Sequence, residues 1–323
     1  MNNKIILITG GTGSFGTAFC NLILSKYNPK KLIIFSRDEL KQYHLSLQKN
    51  FIQHKKKIRF FIGDVRDKDR LFTALNSVNI VIHAAALKQV NTAEYNPFET
   101  IKTNVHGAEN VIQASLANNV EKVIALSTDK ASSPINLYGA SKLLSDKLFI
   151  SSNTFKGNKK TKFSVVRYGN VFGSRGSVVR LFLEQKKKKL FSVTNKDMTR
   201  FSISLDEAVH FVEKCIKIMK GGEIFVPKIP SYRLMDLVKA FSTNSRIKLV
   251  GLRPGEKIHE EMISVYDSPN TVESKDYFAI YSSIDKNLKK KNMTFCKKGF
   301  TYSSEDNSKF LTISEIKKLI SHL

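Results

Sequence analysis

Short apolar, largely β-branched runs recur through the first half of the chain at residues 4–9, 32–35, 58–62, 79–83, 123–127 and 163–168. Their hydrophobicity is continuous rather than alternating, which predicts strands buried on both faces, as in a parallel sheet covered by helices. Amphipathic or polar stretches lie between them, with helical patterns at 15–26 and 38–53. The alternation predicts an α/β fold: a doubly wound parallel sheet with right-handed crossovers.

Beyond Gly169 the rhythm breaks. Ser204 followed by Glu207 has the spacing of a capping box and predicts a helix running to about Met219. Residues 223–226 and 246–250 predict further strands, and 253–256 a turn before a short helix. Thr312 and Glu315 form a second capping box, opening a last helix with Ile316, Leu319, Ile320 and Leu323 on one stripe. With no internal repeat and no Pro- or Ser-rich linker, two packed units are expected, residues 1–169 and 170–323, the second returning some segments to the first sheet.

Composition narrows the class. The chain has 323 residues, 41% of them hydrophobic and 22 of them Phe, enough for a sizeable core and incompatible with general disorder. No apolar run approaches the roughly 18 residues of a membrane-spanning helix. The start lacks the long apolar core of a signal peptide, so a cytoplasmic protein is expected. Cys20, Cys215 and Cys296 are too scattered for a disulfide framework or a metal-ligand pair. Cys20 and Cys215 read as small core hydrophobes, and no metal is expected. The net charge of +25 lies mostly in Lys runs at 55–57, 186–189 and 289–291, without interleaved aromatics or arginines. That pattern predicts a solvated surface rather than a nucleic-acid interface.

The chemistry begins at the first strand's end. Gly10, Thr12, Gly13, Ser14, Phe15 and Gly16 join a strand to a helix, the context in which glycines let the backbone approach a pyrophosphate at a helix N-terminus. Residues 1–169 are therefore expected to bind a dinucleotide. After the second strand stand Ser36, Arg37 and Asp38. A hydroxyl and a guanidinium suit a 2′-phosphate, favouring NADP, while Asp38 keeps NAD open. Asp64 and Val65, after the third strand, border the expected adenine site. Tyr138 and Lys142 are one helical turn apart, and a cation so placed lowers a phenol's pKa and makes it a base. Thr128, ending the fifth strand, is placed to hydrogen-bond the oxygen that Tyr138 deprotonates.

At residues 9–16, 36–41, 83–88, 93–97, 127–131, 134–139, 166–171, 173–177, 198–201 and 253–257 the chain resembles the extended short-chain dehydrogenase/reductase family. Within it, the chain is most similar to the branch of C5-inverting UDP-N-acetylglucosamine 4,6-dehydratases. The resemblance spans residues 4–263. Related C5-inverting enzymes carry Met where this chain has Tyr138, which points to the pseudaminic acid branch.

The resemblance implies a Rossmann domain with a smaller C-terminal substrate-binding domain, and an internal NADP redox cycle. It adds Lys41, Ala84 and Lys88 to the cofactor residues. It also implies that Asn170, Arg175, Arg200, Arg253 and Glu256, with Lys88, hold a UDP-sugar, and that the protein is a homo-oligomer. Asp129 and Lys130 supply what a plain 4-epimerase does not need: an acid for the leaving C6 hydroxyl and a base for the C5 proton. For that, Lys130 must be neutral, and neighbouring cations such as Lys142 are expected to lower its pKa. Gln89, Asn91, Arg180 and Ser202 depart from the family pattern, and of these Gln89 and Ser202 are expected to adjust the sugar pocket. A 4-epimerase, or a non-catalytic protein sensing NADP or binding a polyanion, are the alternatives.

Overall fold

The computed structural model describes residues 1–174, 176–242, 244, 246–282 and 293–323. The first half runs β1 (Ile5–Thr9), α1 (Ser14–Lys26), β2 (Lys31–Ser36), α2 (Glu39–Ser46), α3 (Lys49–Gln53), β3 (Ile58–Ile62), α4 (Lys68–Ala74), β4 (Ile80–His83), α5 (Val90–Tyr95), α6 (Pro97–Ile101), α7 (Gly107–Ala117), β5 (Lys122–Thr128), α8 (Leu137–Phe155) and β6 (Lys162–Tyr168). There follow β7 (Asn170–Val171), α9 (Val178–Gln185), β8 (Leu190–Val193), β9 (Thr199–Ile203), α10 (Leu205–Ile218) and β10 (Glu223–Pro227). The chain then forms β11 (Ser231–Arg233), α11 (Leu234–Phe241), β12 (Arg246–Leu249), β13 (Glu261–Ile263), β14 (Thr271–Glu273), β15 (Tyr277–Tyr281), β16 (Tyr302–Ser303) and α12 (Ile313–Ser321).

The principal sheet has the order β14-β15-β10-β6-β5-β4-β1-β2-β3. From β3 to β10 every neighbouring pair is parallel, and β15 and β14 close the far edge antiparallel. Helices cover both faces, so all five residues of β1 are buried. This is the predicted doubly wound α/β fold. A second apolar core, including Phe182, Phe191, Phe241 and Ile316, joins α9, α11, α12 and β8. Both capping boxes form as predicted, at Ser204 and at Thr312. Cys20 and Cys215 are buried and Cys296 half-buried, all as free thiols.

Two local expectations need correction. The stretch 38–53 is two helices rather than one, broken where Gln48 is extended (φ −70°, ψ 140°). Phe51 lies six positions after Leu45, about 240° round a continuous helix. The break turns it into the core, where it is 1% exposed. The 253–256 turn leads to no helix, because the carbonyls of Lys257 and Ile258 accept from the Arg200 guanidinium at 2.9 and 2.8 Å.

Candidate active site

A cavity of about 970 Å³ opens beyond the carboxyl ends of β1 to β6 and continues toward the second core. This is where an open parallel sheet presents its loops. Gly10, Thr12, Gly13, Ser14, Phe15 and Gly16 line one end. Gly10 has φ +66°, and a Cβ there would stand 2.9 Å from the Ala85 amide, so only glycine lets the turn after β1 pass the turn after β4. Thr9 Oγ1 accepts from the Ala84 and Ala85 amides at 3.2 Å and ties the two turns together. No side chain caps α1, whose N-cap is Gly13, so its first-turn amides have no side-chain acceptor. The cradle fits the pyrophosphate of a dinucleotide.

Ser36, Arg37, Asp38 and Lys41 line the same cavity beyond β2, as do Asp64, Val65, Ala84 and Lys88. Asp38 is the N-cap of α2: its side chain accepts from the Lys41 amide at 2.9 Å and pairs with Lys41 Nζ at 2.8 Å. Those Lys41 contacts hold its carboxyl below the usual range. Asp64 is engaged by Arg66, with Nη2 at 2.6 Å, while Arg37 stands 3.6 Å away and half exposed. The carboxylates at this end are thus already paired, and the Arg37 guanidinium is the less committed charge.

The reactive groups gather where β5 meets α8. Asn136 Oδ1 accepts from the Gly139 amide at 2.7 Å and caps α8, which carries Tyr138 and Lys142. A Cβ on Gly139 would collide with the Lys130 carbonyl, so this helix packs directly on the turn bearing Asp129 and Lys130. The Thr128 side chain stands beside the Tyr138 phenol and favours its charged form. Thr128 Oγ1 in turn donates to Asp129 Oδ1 at 2.9 Å. Lys130 Nζ donates to Asp129 Oδ1 at 3.1 Å and to Asn170 Oδ1 at 3.4 Å, and pairs with Glu260 Oε1 at 2.9 Å.

Electrostatics overturn two expectations. Burial pushes the Tyr138 phenol up to about 12, and the cation that opposes this most is Lys130, not Lys142. Lys142 is itself buried, and its ammonium is lowered by burial against the pull of Asp146. Lys130 is not lowered by neighbouring cations. Burial favours its neutral form, but Asp129 and Glu260 outweigh burial and raise its pKa. It is an ammonium at rest. Asp129 is fully buried, outside the cavity lining, with Oδ1 engaged and Oδ2 lacking a hydrogen-bond partner.

Asn170, Arg200, Arg253 and Glu256 line the substrate side; Arg175 lies outside the described residues. Arg200 is 6% exposed and gives its terminal nitrogens to the carbonyls of Thr199, Lys257 and Ile258. It clamps the 256–260 segment, pairing Glu256 at 3.6 Å and Glu260 at 3.8 Å. Gln89, Asn91 and Arg180 also line the cavity, whereas Ser202 is buried behind it. The sequence reasoning missed Glu260, Asn136 and Thr103, which line the cavity too. Nothing in the primary structure separates Glu260 from the adjacent Glu261; only the fold does. Among the described residues no group of three or more His, Cys, Asp or Glu could hold a metal.

Known proteins align with this geometry. Residues 6–282 match the polysaccharide biosynthesis protein family. The UDP-N-acetylglucosamine 4,6-dehydratase (inverting) of Campylobacter jejuni strain 81-176 is 51% identical over 99% of this chain and 98% of its own length. The UDP-glucose 4-epimerase of Rickettsia bellii strain OSU 85-389 is 41% identical over 99% and 96%. The X-ray structure of Pen from Bacillus thuringiensis superposes with a TM-score of 0.90 at 38% identity, covering 100% of this chain and 99% of that one. By sequence across most of its length, the chain belongs to the polysaccharide biosynthesis protein family.

Proposed function

We propose that this protein is a C5-inverting UDP-N-acetylglucosamine 4,6-dehydratase that uses NADP. The observation that carries the reading is Lys130, held against Asp129 beside Thr128 and Tyr138 at the cavity wall. A 4-epimerase moves one hydride at C4 and has no use for a second acid and base. The relative named for inverting dehydration is also more similar than the one named for epimerisation.

The Gly10–Gly16 turn, Ser36, Arg37, Lys41, Lys88 and Lys142 would hold a nicotinamide dinucleotide, which would supply a reversible hydride acceptor. NADP is favoured because Asp38 is committed to Lys41 and α2, leaving Arg37 for a 2′-phosphate. Tyr138, in the phenolate form that the Lys130 ammonium favours against burial, takes the C4 hydroxyl proton, with Thr128 beside the same oxygen. The resulting 4-ketone acidifies the C5 proton, which Lys130 removes. Asp129 protonates the departing C6 hydroxyl, which leaves as water; C6 then takes back the hydride lost from C4, and C5 is reprotonated on the opposite face. Asn170, Arg175, Arg200, Arg253 and Glu256 are assigned to the UDP-sugar. Of these, Arg200 works mainly by bracing the segment that carries Glu256.

The pseudaminic acid branch, a cytoplasmic location and a homo-oligomeric state complete the reading. Tyr95 and Phe98, 88% and 75% exposed on adjoining short helices, support the oligomer. Incubation with UDP-N-acetylglucosamine in deuterated water tests the whole. A 6-deoxy-4-keto product deuterated and inverted at C5 is expected, and a 4-epimer that keeps its 6-hydroxyl overturns it.

A further inference from the structure

Lys130 must act as an amine, yet the fold holds it as an ammonium between two carboxylates. Resting on the dehydratase reading, we propose that Glu260 is a positioning residue acting through Lys130: it takes the ammonium's proton before C5 is deprotonated and yields it to water after turnover.

Of the two carboxylates, Glu260 is the one built to receive a proton. Its Oε1 is 2.9 Å from Lys130 Nζ, and its Oε2 is buried with no hydrogen-bond partner. A buried, unpartnered carboxylate oxygen is costly, and protonation relieves that cost. Asp129 Oδ2 is likewise buried without a partner, but its Oδ1 already accepts from both the Thr128 hydroxyl and Lys130, and the dehydratase reading commits its proton to the C6 hydroxyl. Glu260 also lines the cavity, whereas Asp129 does not, so only Glu260 has a route to solvent. Its backbone is fixed, the amide donating to Ser304 Oγ at 2.9 Å and the carbonyl accepting from the Ser304 amide at 2.7 Å.

The surrounding charges bound the proposal. Arg200 Nε at 3.8 Å favours the carboxylate, and Asp129 opposes it. Lys257, pointing to the Ser132 carbonyl at 2.8 Å, with Glu256, Glu261 and the phenols of Tyr138 and Tyr232, completes the set around the pair. His259 turns away, to Thr199 and Glu305. The step balances. A Lys130 N–H bond breaks and an O–H bond forms on Glu260, giving a neutral pair. The C5–H bond then breaks, its electrons pass to the 4-keto carbonyl and its proton to Nζ. Glu260 loses its proton to water as product leaves, restoring the ion pair.

An internal transfer of this kind makes turnover independent of pH. Wild-type kcat for UDP-N-acetylglucosamine should be flat from about pH 6.5 to 9, because both partners belong to one proton-sharing pair. Glu260→Gln keeps the size and a hydrogen bond but cannot take the proton. Its kcat should fall about 10²-fold at pH 7, KM should stay within about threefold, and kcat should rise about tenfold per pH unit as Lys130 discharges to water. A purely structural role would lower the melting temperature without creating that slope. Dehydration by the wild type, with undiminished kcat and a flat profile in the Gln variant, overturns the proposal while leaving the dehydratase reading intact. Failure of the wild type to form a 6-deoxy-4-keto sugar removes both. Should the Gln variant not fold, Glu260→Ser carries the same test: lowered kcat that rises with pH supports the proposal, and a flat profile overturns it.

Discussion

The residues at the β5–α8 junction divide the labour, and single substitutions should separate them. Tyr138→Phe leaves no acceptor for the C4 hydroxyl proton, so neither reduced nicotinamide nor keto sugar should appear in single-turnover absorbance. The loss should be at least about 10²–10⁴-fold. Wild-type reduction in that variant would remove Tyr138 as the base. Lys130→Ala should behave differently, because its role begins only after C4 is oxidised. Reduced nicotinamide should form and persist, and solvent deuterium should stay out of C5; normal deuterated product would refute the assignment. At the cofactor's far end, Arg37→Ala should raise the Kd for NADP much more than that for NAD, measured by titration calorimetry. An equal loss for both would return the choice to Asp38.

At the level of elements, the site depends on helices being locked to strands and to one another. Burial alone would raise the Glu213 carboxyl of α10, but hydrogen bonds from Lys217, Tyr27 and Lys26 outweigh it and hold it at about 2. Lys26 closes α1 and Tyr27 caps it, so this carboxylate joins α1 to α10. A depressed carboxyl pKa stabilises the fold above the unfolded-state value, and the gain is lost as pH falls through the folded one. Glu213→Gln should therefore lower stability at pH 7 by about 1–2 kcal/mol, allowing for solvent screening of the exposed lysines. The two melting curves should converge near pH 2. A constant difference across that range would show that packing, not charge, is what the residue contributes.

For the molecule as a whole, exposed Tyr95 and Phe98 on α5 and α6, with Leu144 52% exposed on α8, point to self-association. Sedimentation at micromolar concentration should show a species larger than the monomer, and a purely monomeric profile would count against the oligomer. The alternation of buried strands with helices, the glycine turn after β1 and both capping boxes were legible in the sequence because each is set by local periodicity or by a neighbour three or four positions away. The break that rephases Phe51 was not, since it answers to a core assembled from distant strands. Nor was the charge state of Lys130. Its sequence neighbours include Asp129, but the second carboxylate, Glu260, arrives from 130 positions downstream through a segment that Arg200 clamps. The sequence by itself determined which chemical groups the protein owns and the strand–turn–helix contexts that present them. Only the tertiary structure decided which of them share a proton, because Coulombic coupling and desolvation depend on distance and burial in space and not on separation along the chain.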